Sequence, residues 1–441
     1  MSHGAFQPAP DAPRFSFDAA VAYFAAGCKP RAEARVGVEL ECFLIDAQSG
    51  AMCAYDAIVR VLHALADRYG WTPLLEGDHW LGLQRNGTMV TLEPGGQVEL
   101  ATRPVVDIHA LRQECDEFLD ELRNVLPPLG LNALSMGLHP TADFRRVPLI
   151  PKERYAVMAP QLEAVGPLAH YMMRGTCGWQ CAIDYESERD FQQKFRGLYH
   201  VTSFISAVFA NSPWEQGADN GFASKRMAVW LETDAARCGL IPGVFQDGFD
   251  FEAYARYAFQ MPMLFLVRQD RWLALPRPAF SAFLRDGYDQ WYATREDWQL
   301  HLTSLFPEVR LKQYIEWRGA DAHRFEYLYA LPALILGVTA AGHLLDAACD
   351  LTRRLSWEER LALHLAVARD GLAARCGRHR VAALVAELVA IARNGLELRG
   401  RGEAVYLDAI TEALARFHVP TVPPVPRRLT PQDRAAYVLV Q

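Results

Sequence analysis

The sequence predicts an α+β protein in which helices pack behind one curved antiparallel β-sheet that cups a candidate site, with a helical C-terminal portion. Three observations support this fold class. Residues 36–43 (VGVELECF) alternate with the two-residue period of a strand. Residues 80–102 place Asn86-Gly87 and a Pro-Gly-Gly run between alternating segments, a pattern typical of antiparallel hairpins. Residues 322–417 are rich in alanine and leucine, which favours several helices.

The other elements follow from periodicity and from residues that begin or end helices. Residues 18–26 predict a short helix ended by Gly27 and Pro30. Residues 56–69 predict an amphipathic helix with Asp56 as N-cap and Gly70 as its stop. Further predicted elements are helices at 107–125 and 188–210, strands at 176–185 and within 306–321, and a loop-rich pocket rim at 133–160.

Composition limits the class of protein. The chain has 441 residues, of which 51% are hydrophobic and 22% charged, as in a soluble globular protein. A net charge of −7 argues against a nucleic-acid binder. The uncharged run 327–345 is interrupted by Pro332, Gly337 and His343, so we expect a buried helix or helix pair and no membrane partner. Nine cysteines without a CxxC pair, and no signal segment, favour a cytoplasmic location.

We predict one catalytic domain over residues 18–419, of which 322–419 is mainly helical. Residues 1–17 read as a loose tail because they are rich in proline and alanine. Residues 420–441 read as a proline-rich linker and a short tail. The sequence leaves a monomer and a homodimer equally open.

Acidic residues recur on the polar faces of the predicted strands. Glu39 and Glu41 share a face, and Glu93, Glu99 and Glu316 lie on polar faces of later strands. Clustered carboxylates need counter-charge, and magnesium is the natural partner because it prefers carboxylate oxygens and phosphates. The even positions of residues 306–321 add Glu308, Arg310, Lys312, Tyr314 and Arg318 to one face of a single predicted strand. Arg310, Lys312 and Arg318 suit phosphate oxygens. Surface strands of mixed charge remain the alternative.

Several segments resemble glutamate–cysteine ligase of the plant and proteobacterial type, a glutamine-synthetase-like carboxylate–amine ligase. They are VGVELECF, LEPGGQVEL, TCGWQCAIDY, ANSPWEQG, KRMAVWLETDAARCGLIP and FPEVRLKQYIEWRGAD, and the similarity spans residues 18–415. The resemblance implies a curved sheet that holds ATP, magnesium and glutamate, and the first step of glutathione synthesis. It implies metal binding by Glu39, Glu41, Glu93, Glu99, Gln180 and Glu316, phosphate contact by Arg318, and nucleotide or substrate contact by Arg226 and Arg237. Glu316 and Arg318 are the implied catalytic residues.

The implied reaction transfers the γ-phosphoryl group of ATP to the glutamate side-chain carboxylate, after which the cysteine amine attacks the acyl phosphate. The chain departs from the family pattern at Ala182, at Gly175 and at Ala101-Thr102-Arg103. We expect these changes near the amine acceptor, which leaves two alternatives open. One is a γ-glutamyl ligase with another amine acceptor. The other is a catalytically inactive paralogue that binds glutamate or nucleotide as a regulator.

Overall fold

The computed structural model describes residues 15–417 and 428–440, and it confirms the α+β class. Within those residues the strands are β1 (Val36–Asp46), β2 (Thr72–Glu76), β3 (His79–Arg85), β4 (Thr88–Leu92), β5 (Val98–Ala101), β6 (Leu131–Leu134), β7 (Gly178–Ile183), β8 (Trp214–Glu215), β9 (Ala218–Asp219), β10 (Cys238–Gly239), β11 (Phe265–Arg268), β12 (Arg271–Ala274), β13 (Phe306–Pro307), β14 (Val309–Leu311), β15 (Ile315–Asp321), β16 (Arg375–Cys376) and β17 (His379–Arg380).

Nine of these strands form one open antiparallel sheet. Its spatial order is β14-β15-β7-β1-β5-β4-β3-β2, and β6 pairs with the second half of β1. Strand β1 is therefore central, with β7 on one side and β5 on the other. The predicted β3–β4 hairpin is confirmed, and its turn uses Asn86 at φ 51° and Gly87 at φ 88°, as the tight hairpin turn requires.

The helices pack against the sheet and against one another. Within the described residues they are α1 (Phe17–Ala25), α2 (Tyr55–Tyr69), α3 (Ile108–Val125), α4 (Glu153–Glu163), α5 (Ala169–Gly175), α6 (Glu188–Val208), α7 (Lys225–Leu231), α8 (Phe251–Gln260), α9 (Phe280–Asp286), α10 (Arg295–Leu302), α11 (Ala330–Val338), α12 (Gly342–Asp350), α13 (Trp357–Asp370), α14 (Val381–Arg399), α15 (Asp408–Arg416) and α16 (Pro431–Ala435). The helical C-terminal portion is thus confirmed.

Two local predictions were wrong at their edges. Phe15 packs 6.3 Å from Phe280 between ring centroids, so the chain is anchored before residue 18. Helix α2 begins after Ala54, and Asp56 lies in its first turn without serving as the N-cap. The segment 133–160 is loop-rich as predicted, with the end of β6 and the first turns of α4 at its two ends.

The predicted single strand in residues 306–321 is a hairpin of β14 and β15. Arg310 stands opposite Glu316, so these even-numbered residues still share a face across the turn. Glu308 leaves that face, because its carboxylate lies 3.4 Å from His364 Nε2 and accepts a 3.5 Å hydrogen bond from Thr202 on the helix side. The acidic and basic face is therefore built from two strands, without Glu308.

The long apolar run was predicted as a buried helix or helix pair, and it forms a pair with a sharp bend. Every residue of α11 is buried, and the segments 325–338 and 342–350 meet at 105°. No single helix of residues 15–417 or 428–440 is long and apolar enough to cross a bilayer, although this bent pair is, taken together.

Residues 428–440 return to the sheet. The Ser135 N–H donates to the Tyr437 carbonyl at 2.9 Å, and the Leu439 N–H donates to Ala133 at 2.9 Å, beside β6. The predicted loose tail is thus docked from residue 428 onwards. The predicted tail at 1–14 and most of the proline-rich linker, 418–427, lie outside the described residues, and the single domain over 18–419 stays a prediction.

Candidate active site

Cross-strand register gathers polar side chains on the face of the sheet opposite α6. Glu39 stands directly opposite Gln180 of β7, and Glu41 directly opposite Glu99 of β5. The apolar residues that alternate with them, such as Leu40 and Trp179, are fully buried on the other face. Alternation explains why residues far apart in sequence meet on one surface.

These residues line a pocket of about 220 Å³. It contains four of the predicted glutamates, Glu39, Glu41, Glu93 and Glu99, together with Gln180 and Arg318. Other lining residues are Gln97, Lys152, Arg154, Tyr155, Met158, Met172, Thr176, Trp230, Thr303, Phe306 and Arg310. The structure therefore brings most of the predicted site residues into one hollow.

The glutamates of β1 and β5 lack sufficient counter-charge. Burial, and next the charge of Glu93, raise the pKa of Glu41 from 4.5 to about 8. Burial and Glu316 raise the pKa of Glu39, and burial and Glu39 raise that of Glu99. A bound cation would remove this penalty.

The pocket suits magnesium by its donors, which are carboxylate and amide oxygens. In the part of the chain that the structure describes, no three His, Cys, Asp or Glu side chains already surround one point that could hold a metal ion. Magnesium often takes only one or two carboxylates and completes its sphere with water and substrate phosphates. The donor set therefore fits magnesium in company with a phosphate substrate.

Glu316 has a different environment from the other glutamates. Its Oε2 lies 2.5 Å from Arg310 Nη2 and 2.9 Å from Arg318 Nη1, and its Oε1 lies 3.6 Å from Lys312 Nζ. Although burial opposes ionisation, these three cations hold its pKa far below the usual range. Glu316 thus orients Arg310 and Arg318, and Arg318 also donates to Gln180.

The two remaining predicted arginines have different positions. Arg226 of α7 is 4% exposed, donates to the Arg318 carbonyl at 3.4 Å and lines a small cavity with Trp230 and Arg318. Arg237 is fully buried away from the pocket, where it donates to Asp234, Ser304 and Pro262. Its donors face protein oxygens, so the structure places Arg226 beside the site and Arg237 outside it.

The sequence reading missed the contribution of α4. Its N-cap residue Lys152, and Arg154, Tyr155 and Met158 from its first two turns, line the pocket. The Tyr155 hydroxyl donates to the Leu92 carbonyl at 3.0 Å and lies 3.4 Å from Glu93 Oε1. The signal available in the sequence was two basic residues just before a tyrosine, in a segment with four prolines.

A second pocket of about 220 Å³ shares Glu39 and Gln180 with the first. Its walls are largely apolar, with Val36, Met89 and Pro104 among them. It also contains Ala101, Thr102, Ala182, Tyr314 and Glu316. Most of the departures from the family pattern therefore line this second pocket. Gly175 instead packs where an added Cβ would collide with the Phe144 ring, and Arg103 pairs with Glu114 at 3.0 Å.

The acidic pocket with basic walls, on one face of an open antiparallel sheet, fits the carboxylate–amine ligase that the sequence predicts. The model of glutamate-cysteine ligase family 2 matches residues 35–416, and the chain belongs to that family. It is 35% identical over 397 residues to the chloroplastic glutamate–cysteine ligase of Nicotiana tabacum, covering 89% of this chain and 76% of the relative. The Arabidopsis thaliana chloroplastic enzyme is 36% identical over 397 residues, with 89% and 76% coverage. The solved glutamate–cysteine ligase of Francisella tularensis in complex with AMP is 10% identical, covers 87% of this chain and 82% of its own, and has a TM-score of 0.49.

The predicted cytoplasmic location is contradicted by these relatives. The plant glutamate–cysteine ligases are chloroplastic. Free cysteines and a missing signal pattern were therefore insufficient grounds for a cytoplasmic location, and that prediction was wrong.

Proposed function

We propose that this chain is an ATP-dependent ligase that joins the γ-carboxylate of glutamate to the amine of cysteine through a γ-glutamyl phosphate. The observation that carries the proposal is the convergence of Glu39, Glu41, Glu93 and Glu99 with Gln180 and Arg318 on one pocket. Membership of glutamate-cysteine ligase family 2 supports the choice of substrates.

The two pockets suggest how the substrates are arranged. We place the adenine in the apolar second pocket, because a flat base needs apolar walls and that pocket joins the acidic one at Glu39 and Gln180. The terminal phosphates then lie beside Arg318. On this arrangement Ala101, Thr102 and Ala182 adjoin the nucleotide, so they give no reason to prefer another amine acceptor.

Arg226 and Trp230 provide a site for the glutamate α-carboxylate. Arg226 Nε and Trp230 Nε1 are buried and have no hydrogen-bond partner among the described residues. Both residues line the small cavity beside Arg318. Buried donors without partners are costly, and a carboxylate would satisfy both.

The protein's own part in the reaction is mainly electrostatic. Magnesium, held by pocket glutamates and Gln180, would supply charge neutralisation and alignment for the phosphates. Arg318, fixed by Glu316 and Gln180, stabilises negative charge on the transferred phosphoryl group. The amine displaces phosphate from the activated carbonyl, so no protein nucleophile is required.

Product analysis tests this proposal. The purified full chain is incubated with ATP, magnesium, glutamate and cysteine, and γ-glutamylcysteine and ADP are quantified with and without cysteine. We expect equal amounts of dipeptide and ADP, both dependent on cysteine. Turnover with another amine but none with cysteine would contradict the choice of acceptor, and no turnover with any amine would favour the inactive paralogue.

A further inference from the structure

Two basic residues of the pocket wall have no acidic partner. Lys152 and Arg154 line the pocket, yet neither forms an ion pair with a carboxylate in residues 15–417 or 428–440. Arg154 donates only to Thr303, at 3.1 Å to its hydroxyl, and stacks near Phe265 and Trp272. Lys152 lies over the Tyr155 ring at 4.8 Å. The other two basic residues of this pocket, Arg310 and Arg318, are both paired with Glu316.

Unpaired cations in a pocket imply an anionic ligand group. Burial lowers the pKa of both Lys152 and Arg154 although Glu93 acts in the opposite direction, so a further negative group in the pocket would stabilise their charged forms. Arg154 rests on aromatic faces and a threonine, which hold the guanidinium in place without neutralising it. A guanidinium held in this way is suited to binding a carboxylate.

Their location indicates which substrate supplies that group. The charges that act on Lys152 and Arg154 include Glu93, whereas Arg318 interacts with Gln180 and Glu316, next to the second pocket. On the proposed function, the nucleotide occupies the second pocket and glutamate lies beside Arg226 and Arg318. The acceptor amine adds to a face of the planar acyl carbonyl and phosphate is then expelled, so the acceptor needs a place of its own within reach of that carbonyl. The Glu93 end of the pocket is the part that the nucleotide and glutamate leave for it.

We propose that Lys152 and Arg154 bind the α-carboxylate of the acceptor, so that the site selects an α-amino acid over a simple amine. This inference rests on the proposed function. It adds that the thiol alone does not define the acceptor and that the carboxylate is a required recognition element.

A comparison of cysteine with cysteamine tests the inference, because cysteamine is cysteine without its carboxylate. We expect wild-type kcat/KM for cysteine to exceed that for cysteamine about 100-fold or more, since each charged hydrogen bond contributes about tenfold. Arg154→Met and Lys152→Met should each reduce this ratio about tenfold or more, while KM for ATP and glutamate changes less than about twofold.

Controls separate this inference from the proposed function and from misfolding. Arg271→Met is the matched control, since Arg271 is 78% exposed and pairs only with Glu153 at 3.4 Å, and its ratio should equal that of wild type. The ratio is measured within one variant, so partial unfolding does not change it. A wild type that uses cysteamine as well as cysteine, or Arg154→Met and Lys152→Met variants that keep the wild-type ratio, would overturn the inference while leaving the proposed function standing. Failure of wild type with cysteine itself would instead refute the proposed function.

Discussion

Glu41→Gln tests the claim that the fold disfavours the charged form of the pocket glutamates when no cation is bound. The folded protein holds the pKa of Glu41 at about 8, compared with an ordinary value of 4.5. Between these two values the unfolded chain releases its proton while the folded chain keeps it. Stability therefore falls as pH rises from about 4.5 to about 8, and each unit of pKa difference corresponds to about 1.4 kcal/mol.

The full pKa difference of Glu41 corresponds to about 5 kcal/mol of lost stability near pH 8. Water in the pocket screens part of this energy, so we expect Glu41→Gln to change the free energy of unfolding by about 2 to 4 kcal/mol. Glutamine keeps the shape without the charge. Without metal, Glu41→Gln should be more stable than wild type by this amount near pH 8, and by less than about 1 kcal/mol near pH 5. Magnesium should narrow the difference near pH 8 by stabilising wild type.

Urea unfolding in the presence of a chelator, followed by tryptophan fluorescence at both pH values, measures this difference. Glu412→Gln is the control, because Glu412 is exposed and, among the described residues, pairs only with Arg416, so it should match wild type within about 0.5 kcal/mol. The same stability difference for Glu41→Gln at both pH values would refute the reasoning.

Four further substitutions test separate parts of the account. Glu316→Gln should abolish ADP formation and lower stability by about 3 kcal/mol, because three cations lose their partner; unchanged turnover would remove Glu316 from the site. Arg318→Lys should lower kcat about 100-fold without unfolding the protein, because lysine cannot bond both Gln180 and Glu316 in the same geometry; a change confined to stability would contradict this role. Arg226→Met should raise KM for glutamate about tenfold or more. Arg237→Met should instead lower stability by about 3 kcal/mol, with normal kinetics in the folded fraction. A kinetic defect in Arg237→Met and a loss of stability alone in Arg226→Met would reverse our assignment of the two arginines.

Local sequence pattern was sufficient to predict those elements whose structure depends on periodicity and turn residues. The alternation in residues 36–43 and the Asn86-Gly87 turn predicted β1 and the β3–β4 hairpin, because period and turn geometry are local properties. Arg310 and Glu316 share a face because the register of the β14–β15 hairpin places them directly opposite each other. Glu308 does not share that face. The Glu308 carboxylate turns to His364, and β13, the strand just before Glu308, pairs with β10.

Charge balance and pocket membership depend on contacts that no local pattern contains. Arg226 and Arg237 lie in one similar segment, and only the surrounding fold places the first beside Arg318 and the second among Asp234, Ser304 and Pro262. Helix α4 was hidden because Pro160 lies inside it and other prolines precede it, yet its N-cap and first turn provide Lys152 and Arg154. The three cations that pair with Glu316 lie in its own β14–β15 hairpin, whereas Glu41 faces Glu99 only because β1 pairs with β5.

Oxygen transfer from glutamate to phosphate is the most direct measurement of the central claim, which is that the terminal phosphoryl group of ATP passes to the side-chain carboxylate. Glutamate labelled with oxygen-18 in its γ-carboxylate is supplied with ATP, magnesium and cysteine, and the released phosphate is analysed by mass spectrometry. The account predicts one labelled oxygen in each phosphate, formed in step with γ-glutamylcysteine. Unlabelled phosphate accompanying dipeptide formation would contradict it.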